Sequence, residues 1–547
     1  MSEELKGLHE SGKPQEVLNR FTQIKKKGDW ETLTDEEQIA CIYYRCRSLF
    51  WLGRFEEALQ TASAALLTYS TLPNRSYLLA LLAAKFHVLR ILLQWDEAQK
   101  IITNGTALLM TLTDQDRRTG AVWIAQFEYT KGLGLSLQGE FERARDTFQS
   151  ALKMFEAFDD RYSIAECISR IADAYYYEGD LERAWQSYQE SIVLYQALEN
   201  KFSIGECLHK FGLIQTGMGE LDIALEYFKQ SQQLAKENND PVHFYWSLNH
   251  SGDIYTAKGD PNKALDYFRQ SLAAAESSGL DWAIASDFWY IGKAYHQKGA
   301  FAIALPFFQS SLAKFEQMKN DWNIARVLFS LVLLRLDQQD YLQAQEHLNT
   351  LQKVTKRIPG DPHAAQLRFR LAQALVFKHS SRMKEKLRAQ PFLQQIVDED
   401  FFFGFTVLAM VALCDLLLLE LKATGEQEVW EEAKNLIDKC YSKAQEARAY
   451  PVMVQALLLK SKFASIDGLL DEAQKYFDEA GRIVHDQKLD SLSKKVKIEQ
   501  RNFEAELEKW QALMQRHSSL KERLEQAQLA KYIQEVQRTV NQGRLAD

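Results

Sequence analysis

Catalysis and metal binding need Cys, His, Ser, Asp and Glu at a few recurring spacings, so these residues are read first. The 547-residue chain holds 11 histidines and 6 cysteines. The cysteines are Cys41, Cys46, Cys167, Cys207, Cys414 and Cys440. They form no Cys-x-x-Cys pair, and no histidine joins them in the spacing of a zinc site. There is no Gly-x-x-x-x-Gly-Lys-Ser/Thr loop, no His-Glu-x-x-His pair and no Gly-x-Ser-x-Gly elbow. The expectation is a protein that is not an enzyme and needs neither metal nor cofactor. Most of the cysteines fall in apolar stretches, which predicts buried, reduced thiols and a cytoplasmic setting.

Charge points the same way. The net charge is −8, which does not favour nucleic acid or an anionic membrane as partner. Against that background, Lys353 to Arg388 carries ten Lys or Arg and only Asp361 and Glu385. Arg368, Arg370, Arg382, Lys384, Lys386 and Arg388 form a candidate basic patch. It would suit an acidic partner or phosphate, or would simply be a solvated face.

What positions such residues is a repeat. Gly-x-x-x-x-Ala recurs at Gly53/Ala58, Gly139/Ala144, Gly179/Ala184, Gly219/Ala224, Gly259/Ala264, Gly299/Ala304 and Gly468/Ala473. From Ala144 to Ala344 the spacing is 40 residues each time. The Gly is read as the left-handed end of a first helix. Asp180, Asp260 or Asp340 then caps the second helix. Four residues after the Ala comes an aromatic: Phe148, Tyr188, Phe228, Phe268 or Phe308. With only 9 prolines and 25 glycines, the chain is expected to be all-α.

These units resemble the tetratricopeptide (TPR) repeat. The family's small residue of the first helix falls at Gly132, Ala172, Gly212, Gly252 and Gly292, and its aromatic-or-leucine position at Leu135, Tyr175, Tyr255 and Tyr295. Gln215 departs from the pattern. The long period is similar to repeats of kinesin light chain, of the spindle-orientation adaptor with Leu-Gly-Asn repeats, and of archaeal and bacterial signalling scaffolds. The resemblance implies a right-handed superhelical solenoid of about nine to eleven hairpins, whose first helices line a concave groove for peptides or partner helices. In that register the candidate groove residues are Glu166, Asp173, Tyr176, Glu206, His209, Trp246, Asn249, Asp253, Trp289, Lys293, His296 and Arg326. The middle of this set is acidic and would favour a segment rich in Lys or Arg.

The pattern breaks in places. Residues to about Gly28 look like a degenerate capping unit. Between Ala344 and Ala433 the repeat lapses, with the breaker Ile358-Pro359-Gly360-Asp361-Pro362 inside. Pro306 falls in a second helix and should distort it. The expected division is 1–358, a more divergent solenoid segment at 359–488, and a charged helical tail at 489–547. Phe401 to Leu419 is apolar enough to span a bilayer, but Asp415 and the flanking repeats favour a buried repeat helix. The tail spaces Leu489, Leu492, Val496, Phe503 and Trp510 in a heptad-like pattern. It is read as a cap on the last repeat, a dimeric coiled coil, or a helix for a partner. The expected function is a protein-interaction scaffold or adaptor. The alternatives are a peptide-responsive regulator and a structural subunit of a fixed assembly.

Overall fold

The computed structural model describes residues 1–92, 94–358, 363–400 and 402–527, and beyond them residues 529, 532, 533, 536, 537 and 539. Pro359 to Pro362, Phe401 and most of the tail after Ala527 lie outside the described residues. Among the described residues there are α-helices and two short 3-10 turns, and no strand.

The helices run α1 (Ser2–Glu10), α2 (Pro14–Lys26), α3 (Asp35–Trp51), α4 (Phe55–Thr68), α5 (Leu78–Ile91), α6 (Trp95–Thr111) and α7 (Asp114–Thr119). They continue α8 (Ala121–Leu137), α9 (Phe141–Glu156), α10 (Arg161–Tyr177), α11 (Leu181–Ala197), α12 (Lys201–Gly217), α13 (Leu221–Glu237), α14 (Pro241–Ala257) and α15 (Pro261–Ser278). Then come α16 (Asp281–Gln297), α17 (Phe301–Gln317), α18 (Asp321–Asp337), α19 (Tyr341–Thr355), α20 (His363–Lys378) and α21 (Met383–Glu399). The last are α22 (Phe403–Thr424), α23 (Gln427–Glu446), α24 (Tyr450–Asp467), α25 (Leu470–Asp486), α26 (Asp490–Gln515) and α27 (Leu520–Ala527). Successive helices pair as hairpins, the architecture of a helical-repeat solenoid.

Three local devices build each hairpin. The turn glycine is left-handed, with φ of +84° at Gly179 and +80° at Gly219. The next residue caps the second helix: the Asp180 carboxylate accepts from the Arg183 N–H at 3.0 Å, and Asp260 from that of Lys263 at 3.1 Å. Finally, the small residue of the first helix lies against the aromatic of the second. A Cβ added at Gly212 would stand 2.5 Å from Phe228, and one at Gly252 2.5 Å from Phe268. Buried serines complete the join, with Ser191 Oγ donating to the Ala165 carbonyl at 3.0 Å and Ser311 Oγ to that of Ala285 at 2.7 Å.

The chain forms two compact units. One comprises Met1–Leu248 with Ala274–Leu280, and the other Asn249–Ala273 with Asp281–Asp547. In the first unit the N-terminal stretch is a hairpin, α1 and α2, turned at left-handed Gly12 with Pro14 at the first position of α2. The slack before α8 forms the short helix α7, capped by Thr113.

In the second unit, hairpins α20–α21 and α22–α23 occupy the stretch where the sequence repeat lapses. Helix α22 is the one described helix long and apolar enough to cross a membrane, and 78% of its apolar window is buried. It packs against α20, α21 and α23, and Asp415 is paired with Lys378 at 2.6 Å. Helix α17 continues through Pro306 from Phe301 to Gln317. Helices α26 and α27 fold back on the last hairpin: Phe503 meets Phe477 at 5.3 Å, and Met514 covers Gly468. Through Ala527 the apolar stripe of the tail is thus used within the chain.

Candidate binding site on the inner helices

In the first unit the side chains of interest sit on α3, α5, α8, α10, α12 and α14, the first helices of their hairpins. Glu166 on α10 is bound by Arg47 on α3, 119 residues away in sequence. The same guanidinium donates to the Tyr162 hydroxyl at 3.2 Å and faces His87 Nε2 at 3.0 Å. Arginine can only donate, so His87 accepts there and carries its proton on Nδ1. Burial, then Arg47, Arg90 and Arg170, push the His87 pKa well below the usual imidazole range.

A second knot centres on Arg170. It binds both Asp173 and Glu206. Asp173 also accepts from Lys210 Nζ at 2.7 Å and from the Tyr188 hydroxyl. Burial alone would raise the Glu206 carboxyl, but Arg170, with His243 and Lys210, outweighs it and holds the pKa down at about 2. His243 Nδ1 meets Asp240 at 2.6 Å. Burial works against its charged form, and Asp240 overcomes this and raises the pKa. His209 is buried beside Phe228 and stacks on half-buried Trp246 at 6.0 Å. Tyr176 is half-buried, edge-on to Tyr177 at 5.4 Å.

Glu166, Asp173 and Glu206 therefore do not present bare negative charge: each is matched by a cation of the same chain. Between these helices the side chains leave a cleft with room for about 70 Å³, walled by Tyr129, Leu133 and Trp246 and rimmed by the charged groups. A neighbouring cleft is lined in part by α1, through Lys6, His9 and Glu10. The buried His9 ring stacks on Trp51 at 4.2 Å and stands edge-on to Tyr162 at 5.3 Å. Lys6 pairs with Asp160 at 3.2 Å, and Asn200 Nδ2 donates to the Glu10 carbonyl at 2.9 Å.

The remaining groove candidates lie in the second unit. Buried Asn249 donates to Asp287 Oδ1 at 3.1 Å, and Asp253 is half-buried, 3.9 Å from His250 Nδ1. Trp289 is 6% exposed and donates from Nε1 to Ser330 Oγ at 2.9 Å. Arg326 and Lys293 both lie over its ring, 4.3 and 5.2 Å from the centroid. His296 Nε2 meets Asp337 at 2.7 Å.

The basic residues of the same unit separate into two groups. Arg368 is buried over Phe405, and Arg370 makes a two-pronged pair with Glu399 at 2.7 and 2.6 Å. Arg388 pairs with Glu385 at 2.8 Å. Arg382 and Lys384 are exposed, with half-buried Lys386, at the start of α21 beside exposed Met383 and Leu387.

Reading the sequence alone passed over Arg47, Arg90, Arg170 and Lys210, which decide the charge of the inner face. Arg170 and Lys210 stand 40 residues apart at one repeat register, a signal that could have exposed them. Arg47 gives no such sign. All six cysteines are buried and unpaired, and burial pushes the Cys46 and Cys440 thiols up to about 12. Among the described residues no group of three or more His, Cys, Asp or Glu is placed to hold a metal ion.

Comparison with known proteins adds a family. Among solved structures, a Rap protein complexed with competence and sporulation factor is similar at 15% identity, over 66% of this chain and 99% of its own, with TM-score 0.46. The apo quorum sensor NprR from B. thuringiensis is similar at 12% identity, over 66% and 99%, with TM-score 0.45. Aspartyl phosphate phosphatase F from Bacillus subtilis is similar at 15% identity, over 65% and 92%, with TM-score 0.42. No curated protein matches the chain. The family model of the MalT-like TPR region matches residues 202–483, about half of the sequence. Helical hairpins turned on left-handed glycines, small residues seated on aromatics and this match agree, and the chain belongs to the family of the MalT-like TPR region.

Proposed function

We propose that the protein is a non-enzymatic interaction scaffold that receives a peptide or helical segment of a partner protein on the inner helices of its repeats. The observation that carries this is the inner network of Arg47, Glu166, Arg170, Asp173, Glu206 and Lys210. A buried ion pair contributes little stability beyond what well-packed apolar side chains of the same volume would give. Keeping charge where a solenoid could be sealed with Leu and Phe favours a recognition role for that face. Aromatic groups of the same unit, half-buried Tyr176 and Trp246, are the side-chain types that anchor interfaces. Six free buried thiols accord with a reducing, cytoplasmic setting.

The test is affinity capture from the native lysate with quantitative mass spectrometry. Wild type is compared with Tyr176→Ala plus Lys293→Glu, after circular dichroism has established that the variant is folded. The expected result is one or more partners depleted about tenfold from the folded variant. Undiminished recovery of every partner would reject the inner-face reading.

A second reading, a ligand-responsive regulator, is favoured by the long sequence reach of the contacts. Arg47 joins α3 to α10, and Asn200 joins α12 to the end of α1. A segment entering between these helices must break such pairs, which couples occupancy to the shape of the unit. Fluorescence energy transfer between labels on α3 and α12, with and without the captured partner, tests it; an unchanged distance would refute the regulator.

A further inference from the structure

The cleft of the first unit is lined by three guanidinium groups, and among the described residues two of them have counter-ions. Arg47 is bound to Glu166, and Arg170 to Asp173 and Glu206. Arg90 on α5 is half-buried against the same cleft and makes no hydrogen bond or ion pair among the described residues, and its Nε is sealed from solvent. The carboxylates its charge feels, Glu206 and Asp173, are already held by Arg170 and Lys210. Of the two imidazoles on the cleft, His87 is engaged by Arg47 and His243 by Asp240. The remaining charges pair off, and Arg90 is left as one half-buried positive charge facing the cleft, an arrangement that an anion would stabilise.

We propose that this cleft binds a single carboxylate group, with Arg90 as its counter-ion. The space of about 70 Å³ corresponds to roughly five to seven water-sized occupants. That admits a compact oxyanion and excludes a bulky side chain. One negative charge balances the site. A phosphate dianion would leave surplus negative charge beside Glu166 and Glu206, so carboxylate is the chemistry the site selects. The planar guanidinium matches a carboxylate through two parallel N–H donors. The carboxylate belongs either to a small organic acid or to the C-terminus of a peptide. The site goes beyond the scaffold reading, because it stands whether or not a partner protein binds.

The experiment uses the full chain at constant ionic strength. Acetate, inorganic phosphate and chloride are titrated, with melting temperature and tryptophan emission as readouts, since Trp51 and Trp246 line the cleft. Saturable binding of acetate to wild type, with phosphate weaker and chloride without effect, is expected. Arg90→Met should lose the acetate response by about tenfold while melting in chloride no lower than wild type, because it removes an unpaired charge. An N-acetylated triglycine with a free or an amidated C-terminus separates the sources. Tighter binding of the free acid than of acetate assigns the site to a peptide terminus, and acetate alone assigns it to a small acid. If Arg90→Met does not fold, Arg90→Lys replaces it, with about fivefold weaker binding expected from the loss of the two-pronged contact. No saturable acetate effect on wild type overturns the proposal by itself. So does phosphate binding more tightly than acetate, or an Arg90 variant that responds as wild type does.

Discussion

At the corners between hairpins, Asp159, Glu199, Asn239 and Lys319 hold φ between 51° and 54°, a conformation that suits glycine. The corresponding corner of another repeat is Gly279, at φ +66°. Lys319 is exposed, so its side chain offers little to offset the strain. Lys319→Gly should therefore stabilise the protein by about 0.5–1 kcal/mol, the left-handed cost less the added freedom of glycine in the unfolded chain. Urea denaturation monitored by circular dichroism reads this as a higher midpoint. The turn glycines were legible in the sequence because their signal is local: Gly, then a capping acid. The left-handed corners at Glu199 and Lys319 were not, because neither residue type advertises positive φ.

Among elements, the hairpin depends on the contact of a residue without a side chain with a phenyl ring. A methyl group at Gly212 would meet the Phe228 ring at 2.5 Å, inside contact distance. Gly212→Ala should destabilise by about 1–3 kcal/mol, as overpacked core positions do. Adding Phe228→Leu should restore part of that loss by vacating the ring edge. Thermal denaturation of the single and double variants measures both, and a double variant less stable than the sum of its singles would contradict the contact. Such pairs were visible in the sequence as two motifs held in fixed phase. The hairpins α20–α21 and α22–α23 were harder to see, because the first turns without a glycine and the second turns on left-handed Gly425, which stands eight residues before Ala433 where the other repeats use five. Helix α22 reads as a membrane span by composition alone. Its apolarity has a plainer cause, since it is covered by three other helices.

Over the whole molecule, the inner face is where sequence and structure part most. Read one helix at a time, Glu166, Asp173 and Glu206 suggest an acidic groove. Their cations come partly from helices far along the chain, and Arg47 is 119 residues from Glu166, so no local pattern announces the pair. The network carries a pH signature. The Glu206 pKa is depressed to about 2, below the ordinary carboxylate value near 4.3, so its contribution is fully present above that value and is lost as pH falls toward 2. Glu206→Gln should lower stability by about 2–3 kcal/mol at neutral pH and flatten the stability profile between about pH 4.5 and 2. Chemical denaturation of wild type and variant across that range checks the sign.

A scaffold that works through its inner helices must touch its partner there. Photo-crosslinking amino acids placed at Tyr176 and Lys293 on first helices, and at exposed Arg143 and Leu342 on second helices, compare the two faces directly. After irradiation in native lysate, adducts to a common partner are predicted from Tyr176 or Lys293 and not from Arg143 or Leu342. Adducts arising only from Arg143 and Leu342 would contradict the inner-face scaffold.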